Sequence, residues 1–218
     1  MNGYLRKSKT KKTSRLRQFN NFLSLIIFVL ALYIIAAPLA PQFSYYFKHF
    51  TNKNGGLVYN STLATEVLGD NKAKNLATPP KDNHLVIPTI GVDSLVHEGT
   101  DPNILNLGLW HRPNTSTPDK ESNTVIVAHR FLYTSGPATF YSLDKVAVGD
   151  KALLFWGPEG DRYEYLYEAT VNEVVPATAV EIEDKTTEPQ LTLYTCTPIW
   201  TSKDRLVVKF KLISKTKI

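Results

Sequence analysis

A second cysteine is missing from this chain. Of 218 residues only Cys196 carries a thiol, so no disulfide can close within the chain and its stability rests on packing alone. Metal-ligand spacing is missing too: the five histidines, at 49, 84, 97, 111 and 129, are scattered, and no metal or other cofactor is expected. No internal repeat recurs, which excludes solenoids and propellers. Nor is there a basic surface on the bulk of the chain. The formal net charge of +5 comes from seven cations near the start, Arg6, Lys7, Lys9, Lys11, Lys12, Arg15 and Arg17; removing them from the 25 basic residues leaves 18 against 20 acidic ones. A nucleic-acid surface is thereby excluded.

Residues 22–40 read FLSLIIFVLALYIIAAPLA, nineteen without a charge. At 1.5 Å per residue they cross a hydrocarbon core of about 30 Å as a transmembrane signal-anchor helix. A cleaved signal peptide is the rival reading. The apolar run is longer than a typical h-region, and Pro38 and Pro41 crowd the place where a cut would fall. The cations in 1–21, with no acid among them, place that segment in the cytoplasm and the rest outside the cell membrane, a single-pass topology. Residues 41–82 are polar, hold Asn54-Gly55-Gly56 and Thr78-Pro79-Pro80, and read as an extracytoplasmic stalk.

From residue 83 to 218 the text changes to short β-like runs broken by Gly, Pro, Asn and Asp: HLVIPTIGVDSLVHEG, NTVIVAHRF, KALLFWG, RYEYLYEATVNEVVP, QLTLYTC and RLVVKFKLI. This pattern predicts an all-β sandwich or barrel of roughly eight strands. A helical turn is expected after Asp101-Pro102, where Asp caps and Pro fits the first position. Glu159, Asp161 and Glu164 read as a solvated turn rather than a cation site.

In LTLYTC, Leu191, Leu193 and Thr195 share one face and Thr192, Tyr194 and Cys196 the other. In RLVVKFKL the apolar face is Leu206, Val208, Phe210 and Leu212, with Arg205 opposite. The eight residues TPIWTSKD join the two strands, so Cys196 and Arg205 become neighbours. A fixed positive charge there favours thiolate and can donate to a developing oxyanion. A nucleophilic thiol also needs a proton partner, and His129, ending the strand TVIVA, is the best candidate.

These residues resemble a known family. Leu193, Thr195 and Cys196 fall in TLYTC, similar to the TLxTC signature of the sortases, membrane-anchored cysteine transpeptidases of bacterial surfaces. Arg205, nine residues on, matches the downstream arginine of that family, and AHR at 128–130 looks like its histidine segment. IPTIGVDSLVHEGTD, GLWHRPNTSTP and FYSLDKVAVGD are similar to other family stretches, so the resemblance runs over about 87–213. Ala128 stands where many members have glycine, and Trp110 replaces a small residue.

The resemblance implies a closed or partly closed eight-stranded sortase-like β-barrel with short helices over 83–218. It implies cleavage of an LPxTG-like sorting signal on surface proteins through a thioacyl intermediate on Cys196. Arg205 would stabilise the oxyanion or orient the substrate, and His129 would protonate the leaving amine. The acyl group would pass to an amine of a peptidoglycan precursor or a pilin lysine. Thr195 is expected to support the oxyanion through its backbone or hydroxyl, or else only to serve its strand. Trp200 is expected to line the substrate groove or to pack its loop down, and His111 to be structural. Two other readings stay open: a surface thiol peptidase with water as acceptor, and a non-catalytic anchored β domain with an inert Cys196.

Overall fold

The computed structural model describes residues 7–36, 79–131, 138–199 and 201–218. Contact clustering separates two units, 1–51 and 52–218.

The first unit holds helix α1, Lys7–Ala36. Within it Arg17–Ile35 is long and apolar enough to cross a membrane, and Phe22, Leu25, Ile27 and Phe28 are all exposed. Its apolar side chains lie on every side rather than in one packed stripe. The helix starts well before the apolar run, because Lys, Arg and Gln are good helix formers and continue it through the basic segment. The last residues of the expected span, 37–40, and the expected stalk up to residue 78 lie outside the described residues.

The second unit is the barrel. Strand β1 (His84–Ile87) meets Pro88, which opens a 3-10 turn over Pro88–Ile90. Gly91 then takes a left-handed φ of 68°, which glycine adopts without strain. β2 (Val92–His97) returns antiparallel, with Ile87 opposite Val92. A 3-10 helix, Pro102–Leu107, follows, and the Asp101 side chain accepts from the Asn103 amide at 2.9 Å, the cap expected there. β3 (Leu109–His111) runs parallel to β2 and antiparallel to β4 (Asn123–Val127). Then come β5 (Lys151–Trp156), β6 (Tyr163–Pro176), β7 (Gln190–Thr197) and β8 (Asp204–Lys217). The strand order is β1-β2-β3-β4-β7-β8-β6-β5, and β5 pairs with β1, so the eight-stranded barrel is closed.

Eight strands leave an interior just wide enough for side chains. Leu85, Ile126, Leu154, Tyr165, Leu193 and Phe210 are among those that fill it, each with at most 1% exposure. Each buried aliphatic or aromatic side chain stabilises by about 1.5–3 kcal/mol. No room is left inside for a substrate, so chemistry has to sit on the outer surface.

Part of that outer surface is itself packed. Trp110, Val125, Val127, Ile182, Tyr194 and Val207 form a second apolar layer over β3, β4, β7 and β8. The 3-10 turn Val180–Glu183 is tied onto it: Asn123 Nδ2 donates to the carbonyls of Ile182 (3.0 Å) and Asp184 (2.9 Å). Glu164 departs from the sequence reading. It is fully buried on β6, because the alternation of RYEYLYE puts it on the same face as Leu166. Arg162, also buried, donates to the carbonyls of Pro80 (3.0 Å), Gly157 (2.6 Å) and Asp82.

Candidate active site

Strand pairing decides which side chains meet. β7 is flanked by β4 on one side, parallel, and by β8 on the other, antiparallel. Val125 lies beside Thr192 and Thr192 beside Lys209; Val127 lies beside Tyr194 and Tyr194 beside Val207. These residues share the outer face, so the rows advance two residues at a time. Cys196, two residues beyond Tyr194 on this face, is the direct partner of Arg205. The β4–β7 ladder ends at Val127 and Tyr194, the Ala128 amide donates to the Tyr194 carbonyl at 3.5 Å, and His129 follows as the second residue after β4.

The pairing brings Cys196 and Arg205 together, and His129 follows the end of β4, the strand on the other side of β7. All are half-buried, at the point where the outer apolar layer stops. Among the described residues no hydrogen bond joins His129 to Cys196. Catalytic contacts commonly tighten only when substrate is bound. Burial holds the His129 imidazole below its ordinary pKa, since a low-dielectric surround disfavours the cation. Arg205 donates through Nη1 to the carbonyls of Ser202 and Asp204, both at 3.1 Å, which fixes the guanidinium at the mouth of the β7–β8 loop.

Thr195 departs from one of its expected roles. It points into the barrel with 1% exposure, and its Oγ1 donates to the Ala128 carbonyl at 2.8 Å. Its hydroxyl is thus engaged away from the thiol, because strand alternation turns it to the face opposite Cys196. What it does is staple β7 to β4 at the level where both leave their ladder, beneath Cys196 and His129. Trp200 lies outside the described residues. His111 is buried and satisfied, with Nε2 at 2.8 Å from the Ser116 carbonyl and its ring edge-on to Trp156 at 5.2 Å. Trp110 belongs to the outer layer, where its Nε1 donates to the Gly99 carbonyl at 2.9 Å and Arg112 stacks 4.9 Å from its ring. No group of three or more metal-ligating side chains occurs among the described residues.

One contact was not visible in the sequence. Asn106, exposed on the 3-10 helix after β2, meets His129, with Oδ1 3.2 Å from Nε2. The contact engages one ring nitrogen and so orients the imidazole plane. Gly108, at φ 143°, turns the chain from this helix into β3 in a conformation other residues rarely adopt. A lone Asn in a turn carries no periodicity, so its only sequence signal was the Asp-Pro start that makes the turn.

Below Cys196 the outer face is rigid. The Tyr194 hydroxyl donates to Glu183 Oε1 at 2.6 Å, and Arg112 grips both oxygens of Glu183 at 2.8 and 3.2 Å. Burial and that carboxylate push the phenol of Tyr194 well above its ordinary pKa, so it is a neutral donor throughout the working range.

Comparisons with known proteins agree with this arrangement. The family model described as the sortase domain matches residues 85–213, more than half of the chain. Sortase SrtE2 of Streptomyces coelicolor is 30% identical over 139 residues, 58% of this chain and 53% of that protein, so the chain spans about half the length of that curated relative. Among solved structures, the Clostridium perfringens sortase D5 transpeptidase is 28% identical at a TM-score of 0.52, covering 62% of this chain and 79% of its own. Sortase E1 from Streptomyces coelicolor, solved with a tripeptide in its active site, aligns at a TM-score of 0.54 and 24% identity, covering 63% of this chain and 90% of its own; at that identity it speaks for the fold alone.

Proposed function

The chain belongs to the sortase family, and from that premise we propose that it is a cysteine transpeptidase acting on surface proteins that carry an LPxTG-like sorting signal. The observation that carries the reading is the Cys196–Arg205 pair on β7 and β8, with His129 just past the end of β4, the strand that flanks β7 on its other side. The Cys196 thiolate attacks the carbonyl carbon of the signal's threonine, and the oxyanion that forms takes hydrogen bonds from Arg205. The C–N bond to the next residue breaks as the His129 imidazolium gives its proton to the leaving amine. A thioacyl bond on Cys196 remains. An incoming amine, from a peptidoglycan precursor or a pilin lysine, loses its proton to His129, attacks the thioester and restores the thiolate. Asn106 keeps the imidazole turned for both transfers.

Residues 22–40 serve as a single-pass anchor in this reading. The basic 1–21 stays in the cytoplasm, 41–82 is a stalk, and 83–218 is the extracytoplasmic catalytic domain. Digestion of intact cells by added protease is expected to remove 41–218, and protection of that region would refute the topology.

The test of function is to incubate the protein with a library of sorting-signal peptides and look by mass for an adduct on Cys196. Products are then compared with and without an added amine. A new amide supports transfer, and release of acid alone in both arms would make the protein a peptidase. No adduct with any peptide overturns the reading.

A further inference from the structure

Arg130, the residue after His129, is nine-tenths buried, yet only one of its nitrogens has a partner. Nη2 donates to Asp144 Oδ1 at 2.8 Å, while Nε and Nη1 are buried without a hydrogen-bond partner. A buried guanidinium with idle donors is a poor way to stabilise a fold; an apolar pair of the same volume is often as good or better. Burial pulls this guanidinium below its ordinary pKa, and the Asp144 carboxylate opposes the shift. A cation kept at such a cost calls for another reason.

Its place in the chain supplies one. β4 ends its ladder at Val127, so the strand does not hold His129 itself. The Phe140 amide donates to the His129 carbonyl at 3.0 Å. Phe140 is fully buried. Asp144 stands four residues later in the 3-10 turn Leu143–Lys145, which is itself tied to β6: Asn172 Nδ2 donates to the carbonyls of Leu143 (3.5 Å) and Val146 (2.8 Å). Two bonds thus tie the end of this segment to residues 140–144, one on His129 and one on its successor.

Resting on the sortase reading, we propose that the Arg130–Asp144 ion pair is a positioning device for the reaction: it ties the residue after His129 to the Leu143–Lys145 turn and so holds His129 in place for Cys196. The charge is retained because an ion pair ties one direction and one distance, whereas an apolar contact would let the two segments slide. Arg130 and Asp144 act through His129 and touch no reacting atom.

The test uses the full chain with Asp144→Asn, which keeps the shape and removes the charge from a side chain that is 38% exposed. Because this leaves the Arg130 cation uncompensated, Arg130→Gln with Asp144→Asn is made beside it as a neutral pair. Three quantities are read: hydrogen exchange of the Phe140 amide, the NMR signals of the His129 ring, and kcat and KM of transfer. In both variants Phe140 is expected to exchange several-fold faster and the His129 ring to occupy more than one position. Transfer is expected to show kcat reduced about 10- to 100-fold with KM little changed, as for a misplaced catalytic group. Asp144→Glu is expected to recover part of kcat. A variant with a lower melting temperature but a single His129 ring position and wild-type kcat would show that the pair merely stabilises the barrel, and the proposal falls. If the wild-type chain transfers no peptide, the sortase reading fails, and the ring signals still decide whether Asp144 holds His129.

Discussion

The inner and outer faces of β4, β7 and β8 are both packed, but to different depth. Inside, Ile126, Leu193, Val208 and Phe210 meet side chains from all around the barrel, and every row from one rim to the other is covered. Outside, a single layer of Trp110, Val127, Tyr194 and Val207 lies under one 3-10 turn, and it stops one row short of the strand ends. Cys196 and Arg205 pair one row beyond it. The difference separates two tasks along one set of strands: the inner face determines whether the protein folds, and the outer face what it can do. The row below the thiol is itself tied down, since the Tyr194 hydroxyl donates to Glu183.

If that division is right, an outer-row substitution removes activity and leaves stability, while an inner-face substitution does the reverse. Cys196→Ala is expected to lower transfer below detection while the melting temperature stays within a few degrees, as peptide transfer and thermal unfolding of the same sample will show. Retained cleavage would remove Cys196 from the nucleophile role. Leu193→Ala, two residues before Thr195 on the same inward face and fully buried, is expected to cost about 2–5 kcal/mol in chemical denaturation. Refolded at low temperature, it is expected to keep its kcat.

Arg205→Lys sharpens the outer side. It keeps the charge but loses the planar fork, and a fall of about 100-fold in transfer is expected. The pH at which Cys196 is alkylated is expected to change little. Near-normal transfer with a strongly raised alkylation pH would make Arg205 a bulk charge only. Tyr194→Phe removes the hydroxyl bond to Glu183, for an expected loss of about 1 kcal/mol of stability in denaturant unfolding.

The smallest effect concerns His129 and pH. Its folded pKa is depressed by burial, so between that value and about 6.5 the unfolded chain binds the proton more readily. Stability is therefore lost as pH falls through this window, and His129→Gln is expected to flatten that slope in melts at pH 7 and pH 5.5. The same depression makes the imidazolium scarcer at neutral pH. A slow enzyme with a bell-shaped profile is therefore expected.

Much of this division was legible in the sequence. The alternation of LTLYTC and RLVVKFKL assigned Leu193 and Cys196 to opposite faces and brought Arg205 beside the thiol, because an antiparallel pair joined by one loop is a local affair. His129 was legible as a strand-end residue, but where it comes relative to Cys196 depends on the parallel β4–β7 ladder, which joins segments more than sixty residues apart and leaves no local pattern. β3, three residues long, is too short to show a period. The outer layer was hidden for a related reason: Tyr194, on the face opposite the leucines of its strand, is covered by Ile182 from a distant turn. Glu164 was misjudged because acidic neighbours at a turn look solvated whichever way the strand behind them faces.

The grip of Arg162 on Pro80 and Asp82 has a mechanical consequence. It fixes where a tether pulls on the barrel: at the start of β1 and beside the last residue, since the Ile218 amide donates to the Arg162 carbonyl at 3.0 Å. Arg205 stands near the other end of β8, about 40 Å away at roughly 3.3 Å per residue. A load applied between residue 79 and Arg205 would therefore run lengthwise along β8. Its long ladder with β6 would carry it as shear shared over many hydrogen bonds, so a pull on the start of the barrel would not peel open the strand end that holds Arg205 beside Cys196.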